Sequence, residues 1–312
     1  MSERIARRSQ IGLGLLWLID GILQFQPYMF GKAFVTGVLL PSAAGQPGVI
    51  ATPITWIAHL IEPDVAVFNA FAASLQVLIG IGLLYRPTVK TALAISFAWA
   101  LGIWFAGEGI GMLFTGSASP LTGAPGAALV YVLAALLCWP REVQARPLRG
   151  GRVRGLISEH GGRAIWSATW FGCAMLWLLP ANSSAGAVHD AIAGAPSGAG
   201  WLSRLLDTAA TATTGRGTTI AIVLAIASAT IGLAVLYGWL PQALLAMQIG
   251  LLGLYWVLGQ GLGGLFTGQA TDVGTGPPMI LVALMLAPPS ASNSIRRANM
   301  GSSPDFLVNS WP

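Results

Sequence analysis

The chain has 312 residues, 9% of them charged and 54% hydrophobic, with a formal net charge of +5 and a mean hydropathy of +0.70. Soluble proteins carry roughly a quarter charged residues, so a water-solvated globule is excluded and lipid is the expected solvent for most of the chain. The basic excess is confined to short segments between apolar runs, which marks membrane orientation and contact with anionic headgroups rather than nucleic-acid binding.

The pattern predicts an all-α integral membrane protein with eight transmembrane helices. The first apolar stretch, about 10–29, follows the basic start RIARR. It is long, contains Asp20 and lacks a small-x-small cleavage site, so it is expected to be a retained helix. Asp20 would sit about halfway along it, where an acid costs several kcal/mol unless it faces protein, finds a partner or is protonated. Gln24 follows at i+4, on the same face. The pair suits a proton, a hydroxyl or a quinone oxygen, and equally a structural bond between helices. Residues 30–63 form an excursion containing PITWIAHLIEP, read as a short interfacial helix with Trp56 in the aromatic belt.

Two spans follow at about 64–85 and 88–106, joined at Arg86 and Lys90. Next comes WFAGEGIGMLFTGSASPLTGAP, residues 104–125, with Glu108 inside it. Its glycines permit sharp turns or close approach of helices. Thr115, Ser117, Ser119 and Thr122 offer hydroxyls to non-helical backbone, which is tolerated at membrane depth only when buried in protein or lining a wet cavity. A re-entrant or tightly folded outer loop is therefore expected, holding Glu108 toward the bundle. A short fourth span at about 125–140 leads to a linker, 141–163, carrying Arg141, Arg146, Arg149, Arg152, Arg154 and Arg163.

The later spans are expected at about 164–180, 218–238, 240–258 and 276–288. Between the first two, 181–217 contains GWLSRLLDT, a second interfacial helix with Trp201 in the belt. The stretch WVLGQGLGGLFTGQATDVGTGP, residues 256–277, carries Gln260, Thr267 and Asp272. After Pro289 the tail is polar and rich in Ser and Asn, a composition that favours disorder.

Trp104 placed over Trp256 gives an offset of 152, at which Gly107, Gly109 and Gly111 meet Gly259, Gly261 and Gly263, and LFTG meets LFTG without a gap. One further residue of offset sets Trp17 and Pro27 on Trp170 and Pro180. The chain thus reads as a first four-helix repeat (1–140), a basic cytoplasmic linker (141–163), a second four-helix repeat (164–289) and a tail (290–312). An even number of spans per half makes the repeats parallel, related by an axis along the membrane normal. All but Lys32, Arg204 and Arg216 of the 16 Lys and Arg then fall on one side, which puts both termini in the cytoplasm.

The candidate polar pocket is Asp20, Gln24, Glu108, Thr115, Gln260, Thr267 and Asp272. Either the two glycine-rich stretches form opposed walls of an outward-facing pocket with Glu108 as its charged member, or they are cap turns that pack the halves together. His59, His160 and His189 lack metal-ligand spacing, and His59 with Glu62 is only an i,i+3 pair, so no metal is expected. Cys138 and Cys173 form no CxxC and read as small hydrophobes in helix packing. No dinucleotide or Walker loop is present.

GLGLLWLIDGILQF, and FAASLQVLIGIGLLYRPTVKTALAISF with its Gly82-Leu83-Leu84-Tyr85-Arg86 turn, resemble the first three helices of the DoxX/DoxD-like membrane proteins. The resemblance covers about 100 residues of the first half and fewer of the second. It implies a tandem of two four-helix bundles in a bacterial cytoplasmic (inner) membrane, associated with redox or respiratory systems such as thiosulfate:quinone oxidoreductases. An acid often found in that family's second helix is Gln76 here, so no catalytic residue carries over. Three functions follow as expectations: an accessory subunit of a membrane redox complex, a small-solute transporter with a two-fold repeat, and a quinone-linked oxidoreductase subunit. Membrane lipids and protein partners in a complex are expected. No cofactor is read from the residues, and a quinone or a bound lipid is the ligand class left open.

Overall fold

The computed structural model describes residues 3–140, 156–239 and 241–287. Among them every regular element is helical. The main helices are α1 (Glu3–Leu23), α2 (Lys32–Ala43), α3 (Gly48–Ile61), α4 (Val65–Leu84), α5 (Val89–Gly102), α6 (Ala127–Cys138), α7 (Glu159–Trp177), α8 (Ala187–Ala193), α9 (Gly200–Thr213), α10 (Gly217–Leu236), α11 (Gln242–Leu254) and α12 (Gly276–Leu286). Four continuous helical runs are long and apolar enough to cross a membrane: Gly48–Leu84, Arg86–Gly107, Gly217–Leu236 and Gln242–Gly259. Their outward faces stay apolar, with Val67, Phe71, Leu78, Val223 and Ile226 exposed, as helices solvated by lipid require.

The first helix begins and ends earlier than the hydropathy suggests. It starts at Glu3 and stops at Leu23, and Pro27, which has no N–H to donate, opens a separate 3-10 turn, Pro27–Phe30. Asp20 is therefore in the last turn of α1 rather than midway along a span. Gln24 lies just beyond the helix, and the two side chains do not bond to each other.

The excursions also hold more structure than one short helix each. Residues 30–63 fold as α2 and α3, and 181–217 as α8 and α9 after a turn at Pro180–Ser183. In α9 the buried Leu202, Leu206 and Ala210 recur at i, i+4 and i+8, which sets one apolar stripe against the bundle. Residues 159–163, assigned to the linker by sequence, are the first turns of α7, with the Ser158 hydroxyl capping Gly161 N–H at 3.0 Å. Residues 141–155 and the tail 290–312 lie outside the described residues.

Two helix pairs dominate the packing, α1 with α4 and α7 with α10. In the first, Gly14 and Gly80 face each other so closely that a Cβ on either would meet the other's carbonyl oxygen. Small residues let backbones approach in this way where lipid supplies no hydrophobic drive between helices. In the second pair Ser167 donates to the Gly232 carbonyl at 2.7 Å. Buried tryptophans find amphipathic partners: Trp17 Nε1 donates to Ser96 Oγ at 2.8 Å, and Gln248, its amide oxygen turned inward, accepts from Trp166 and Trp170 at 2.7 and 2.9 Å. At the end of the bundle that holds the start of α1, Arg7 donates to the Leu83 and Leu84 carbonyls that close α4.

Candidate functional site

At the opposite end, α5 and α11 finish in the same way. Each widens into a five-residue π-turn, Ile103–Gly107 and Tyr255–Gly259. The next residue, Glu108 or Gln260, takes φ −104° or −111° with ψ 0°. Gly109 and Gly261 then both adopt φ +53°, and Gly111 and Gly263 φ +61° and +70°. Left-handed backbone of this kind is readily available to glycine and costs other residues ~1–2 kcal/mol. The same turn needs room as well: Gly109 lies against the Ser42 carbonyl and Gly261 against that of Pro196.

The turns aim one carbonyl-bearing side chain from each loop at the start of the following helix. Glu108 Oε1 accepts from Ala128 N–H of α6 at 3.0 Å, and Gln260 Oε1 accepts from Thr275 N–H ahead of α12 at 2.7 Å. Both side chains satisfy N–H groups that a helix N-terminus leaves unpaired. Gln260 completes this task as a neutral amide. Glu108 keeps its second oxygen, Oε2, buried and without a hydrogen-bond partner among the described residues.

A cavity of about 290 Å³ lies behind Glu108, enclosed by α1 to α6 and by Thr271 and Asp272 of the second glycine-rich loop. Phe34, Leu39, Ile57, Ile61 and Phe68 make most of its wall apolar. Its polar members gather at the loop end. Asp20 Oδ2 accepts from Tyr131 Oη at 2.6 Å and Oδ1 from Val273 N–H at 3.1 Å. Gln24 Nε2 donates to the Thr271 carbonyl at 2.8 Å, while the Gln24 backbone carbonyl accepts from Asn69 Nδ2 at 2.7 Å. Asp272 is held inside its loop by Gly274 N–H at 2.6 Å and Thr271 Oγ1 at 2.8 Å. Gln76 and Trp99 line the same cavity, and Gln76 Oε1 and Trp99 Nε1 are both buried without a partner among the described residues.

The fold thus brings Asp20, Gln24, Glu108 and Asp272 to one cavity, from 253 residues apart in sequence in the case of the Asp20–Val273 bond. Gln260 stands with Glu108 and Asp272 on a larger polar cavity of about 630 Å³ between the two glycine-rich loops, which do face each other there. Thr267 lines a third cavity, about 530 Å³, that also touches Glu108. Thr115 and Thr267 do local work: each hydroxyl donates to the carbonyl three residues back, at 2.8 and 2.7 Å, closing its own turn. Trp56 and Trp201 lie on α3 and α9 and are 64% and 51% exposed. Trp201 is edge-on to Phe266. Tyr131, Trp99 and Gln76 escaped the sequence reading as site residues. Their only signal is polarity inside apolar helices, which tryptophan and tyrosine show throughout this chain.

Comparison with protein-family models, with curated proteins and with solved structures finds no match to this chain. The site's chemistry is therefore read from its own atoms. Among the described residues no cluster of three or more His, Cys, Asp and Glu is placed to hold a metal ion. His59 pairs with Glu62 at 3.4 Å, and Lys32 with the same carboxylate at 3.8 Å, on the surface. Three residues that line the cavity, Gln76, Trp99 and Glu108, each carry one buried polar atom without a partner among the described residues, inside an otherwise apolar shell, a set suited to the polar head of an amphipathic molecule.

Proposed function

We propose that this protein is a membrane subunit that holds a lipid-soluble ligand with a hydrogen-bonding head, of the quinone class, in the cavity of its first half. The observation that carries this reading is that Gln76, Trp99 and Glu108 all line one apolar cavity, and that Gln76 Oε1, Trp99 Nε1 and Glu108 Oε2 are each buried without a partner among the described residues. An unpaired buried donor or acceptor costs about 1–3 kcal/mol, so three at residues lining one cavity favour a bound molecule that pairs with them. The cavity's size is near the lower end of the roughly 300–1,000 Å³ typical of ligand pockets, enough for a ring and the start of a tail.

The wider architecture in this reading is eight spans arranged as two parallel four-helix repeats, in a bacterial inner membrane, with both termini cytoplasmic. Several contacts support the repeat. The paired π-turns and left-handed glycines recur at an offset of 152. Thr275 Oγ1 donates to the carbonyl of Gly123, its own counterpart at that offset, at 2.8 Å, as expected beside a two-fold axis. Within the repeat only the first half keeps the polar cavity: Asp20, Gln76, Trp99, Glu108 and Tyr131 correspond to Cys173, Ser228, Leu251, Gln260 and Ala283. The resemblance to DoxX/DoxD-like proteins favours a place beside a membrane redox or respiratory enzyme. Asp20, Gln24, Glu108 and Asp272 lie at one end of the helices and leave Gln76 as the mid-helix polar residue of the cavity, which makes a solute transporter the weaker alternative.

The test is extraction and mass spectrometry of the full-length protein isolated in native nanodiscs. Quinone enriched over the bulk membrane in the wild type, and depleted in the Gln76→Leu, Trp99→Phe double variant, is the expected result. Bulk quinone levels in both proteins would remove the reading.

A further inference from the structure

Glu108 stands where three cavities meet. It lines the apolar cavity and also both polar cavities, of about 630 and 530 Å³, at the loop end. Asp272 shares the apolar cavity and the larger polar one, but both its oxygens are already bonded inside its own loop. The carboxyl oxygen buried there without a partner among the described residues is Glu108 Oε2.

Capping α6 does not explain why this side chain is an acid. Gln260 performs the corresponding task for α12 with one amide oxygen and no charge. What Glu108 has and Gln260 lacks is an oxygen that can gain or lose a proton. The groups around it favour the neutral acid once water is displaced. Asp20 on α1 and Asp272 on the second loop are like-charged, Tyr131 on α6 is engaged with Asp20, and Asp190 on α8 faces the larger polar cavity. Among the described residues no Lys, Arg or His lines any of the three cavities. The nearest basic groups on the excursion, Lys32 and His59, are paired with Glu62 on the surface.

Building on the ligand cavity described above, we propose that occupancy of the apolar cavity is coupled to uptake of one proton by Glu108 from the polar cavity between the glycine-rich loops. The apolar body of the ligand replaces water in the cavity that Glu108 lines, and a charged carboxylate there loses what solvation that water gives it. The proton comes from vestibule water: a hydronium ion gives up one proton, an O–H bond forms on Oε2, and no electrons move. The resulting O–H donates to a carbonyl oxygen of the ligand. When the ligand leaves, the proton returns to the same vestibule. Glu108 then acts as the valve between an apolar binding chamber and the aqueous side.

Equilibrium binding of a decyl-substituted benzoquinone to the full-length protein in nanodiscs, measured from mildly acid to mildly alkaline buffer, tests the coupling. One proton taken up on binding weakens affinity about tenfold per pH unit where the free protein is ionised. Glu108→Gln should bind at every pH with the affinity of the acid wild type, and Gln260 argues that the fold accepts this change. Titration calorimetry in two buffers of different ionisation enthalpy should count one proton taken up by the wild type and none by the variant. Asp272→Asn, which removes a neighbouring charge, should keep the slope and shift it toward lower pH. A slope that survives in Glu108→Gln, or a wild type that binds with no slope, overturns the proposal. Absence of binding by every variant and the wild type overturns the ligand cavity itself, a separate outcome.

Discussion

The Tyr131 hydroxyl is the closest partner of the most deeply buried acid among the described residues. Asp20 is 2% exposed and takes two donors, the phenol and Val273 N–H. Replacing Tyr131 with Phe keeps the ring's packing on Trp17, whose centroid is 4.9 Å away, and removes only the donor. One carboxylate oxygen is then left buried and unpaired, which costs about 1–3 kcal/mol. Tyr131→Phe should lower stability by that amount in denaturant titrations in mixed micelles. An unchanged midpoint would mean that Oδ2 draws nothing from the phenol. Nothing near Asp20 in sequence announces this partner, because the donor comes from a different helix 111 residues on.

Helix ends, more than helix bodies, set this molecule's chemistry. The motif G-x-G-x-G turns each chain end back on itself through left-handed glycines, so that Glu108 and Gln260 reach the next helix. Gly109→Ala would place a methyl in a left-handed conformation, which costs about 1–2 kcal/mol, and drive it into the Ser42 carbonyl as well. Gly250→Ala, in α11, meets nothing within 4 Å and removes a poor helix former. Thermal unfolding should show Gly109→Ala markedly destabilised and Gly250→Ala neutral or stabilised. Equal effects would mean that the turns are not the constrained feature. The glycine pattern made the turns legible in sequence. The π-turns before them were not, because no residue type marks a π-turn.

On the scale of the whole molecule, the two loops meet at the Thr275–Gly123 bond, so both belong to one end of the bundle. Ser117 and Gln269 are exposed, correspond at the repeat offset and sit on these loops. Cysteines placed there singly, in a chain lacking Cys138 and Cys173, should react with a membrane-impermeant maleimide from the same compartment. Labelling from opposite compartments would refute the parallel repeat. Composition alone pointed to apolar helices, because so few charges favour lipid as the solvent, where intrahelical bonds are the main recourse for a backbone. The local pattern of glycines and tryptophans also disclosed the doubled loop. Hydropathy misplaced the end of α1, since Phe25 and Phe30 extend the apolar run past the helix into the 3-10 turn. It therefore put Asp20 at mid-span. The cavity was decided by tertiary structure alone. Its polar groups come from α1, α4, α5, α6 and both glycine-rich loops; Asp20, Gln24, Glu108 and Asp272 stand out in their own segments, whereas Gln76, Trp99 and Tyr131 do not. Only packing reveals which buried donors and acceptors have found partners and which are left facing an open space.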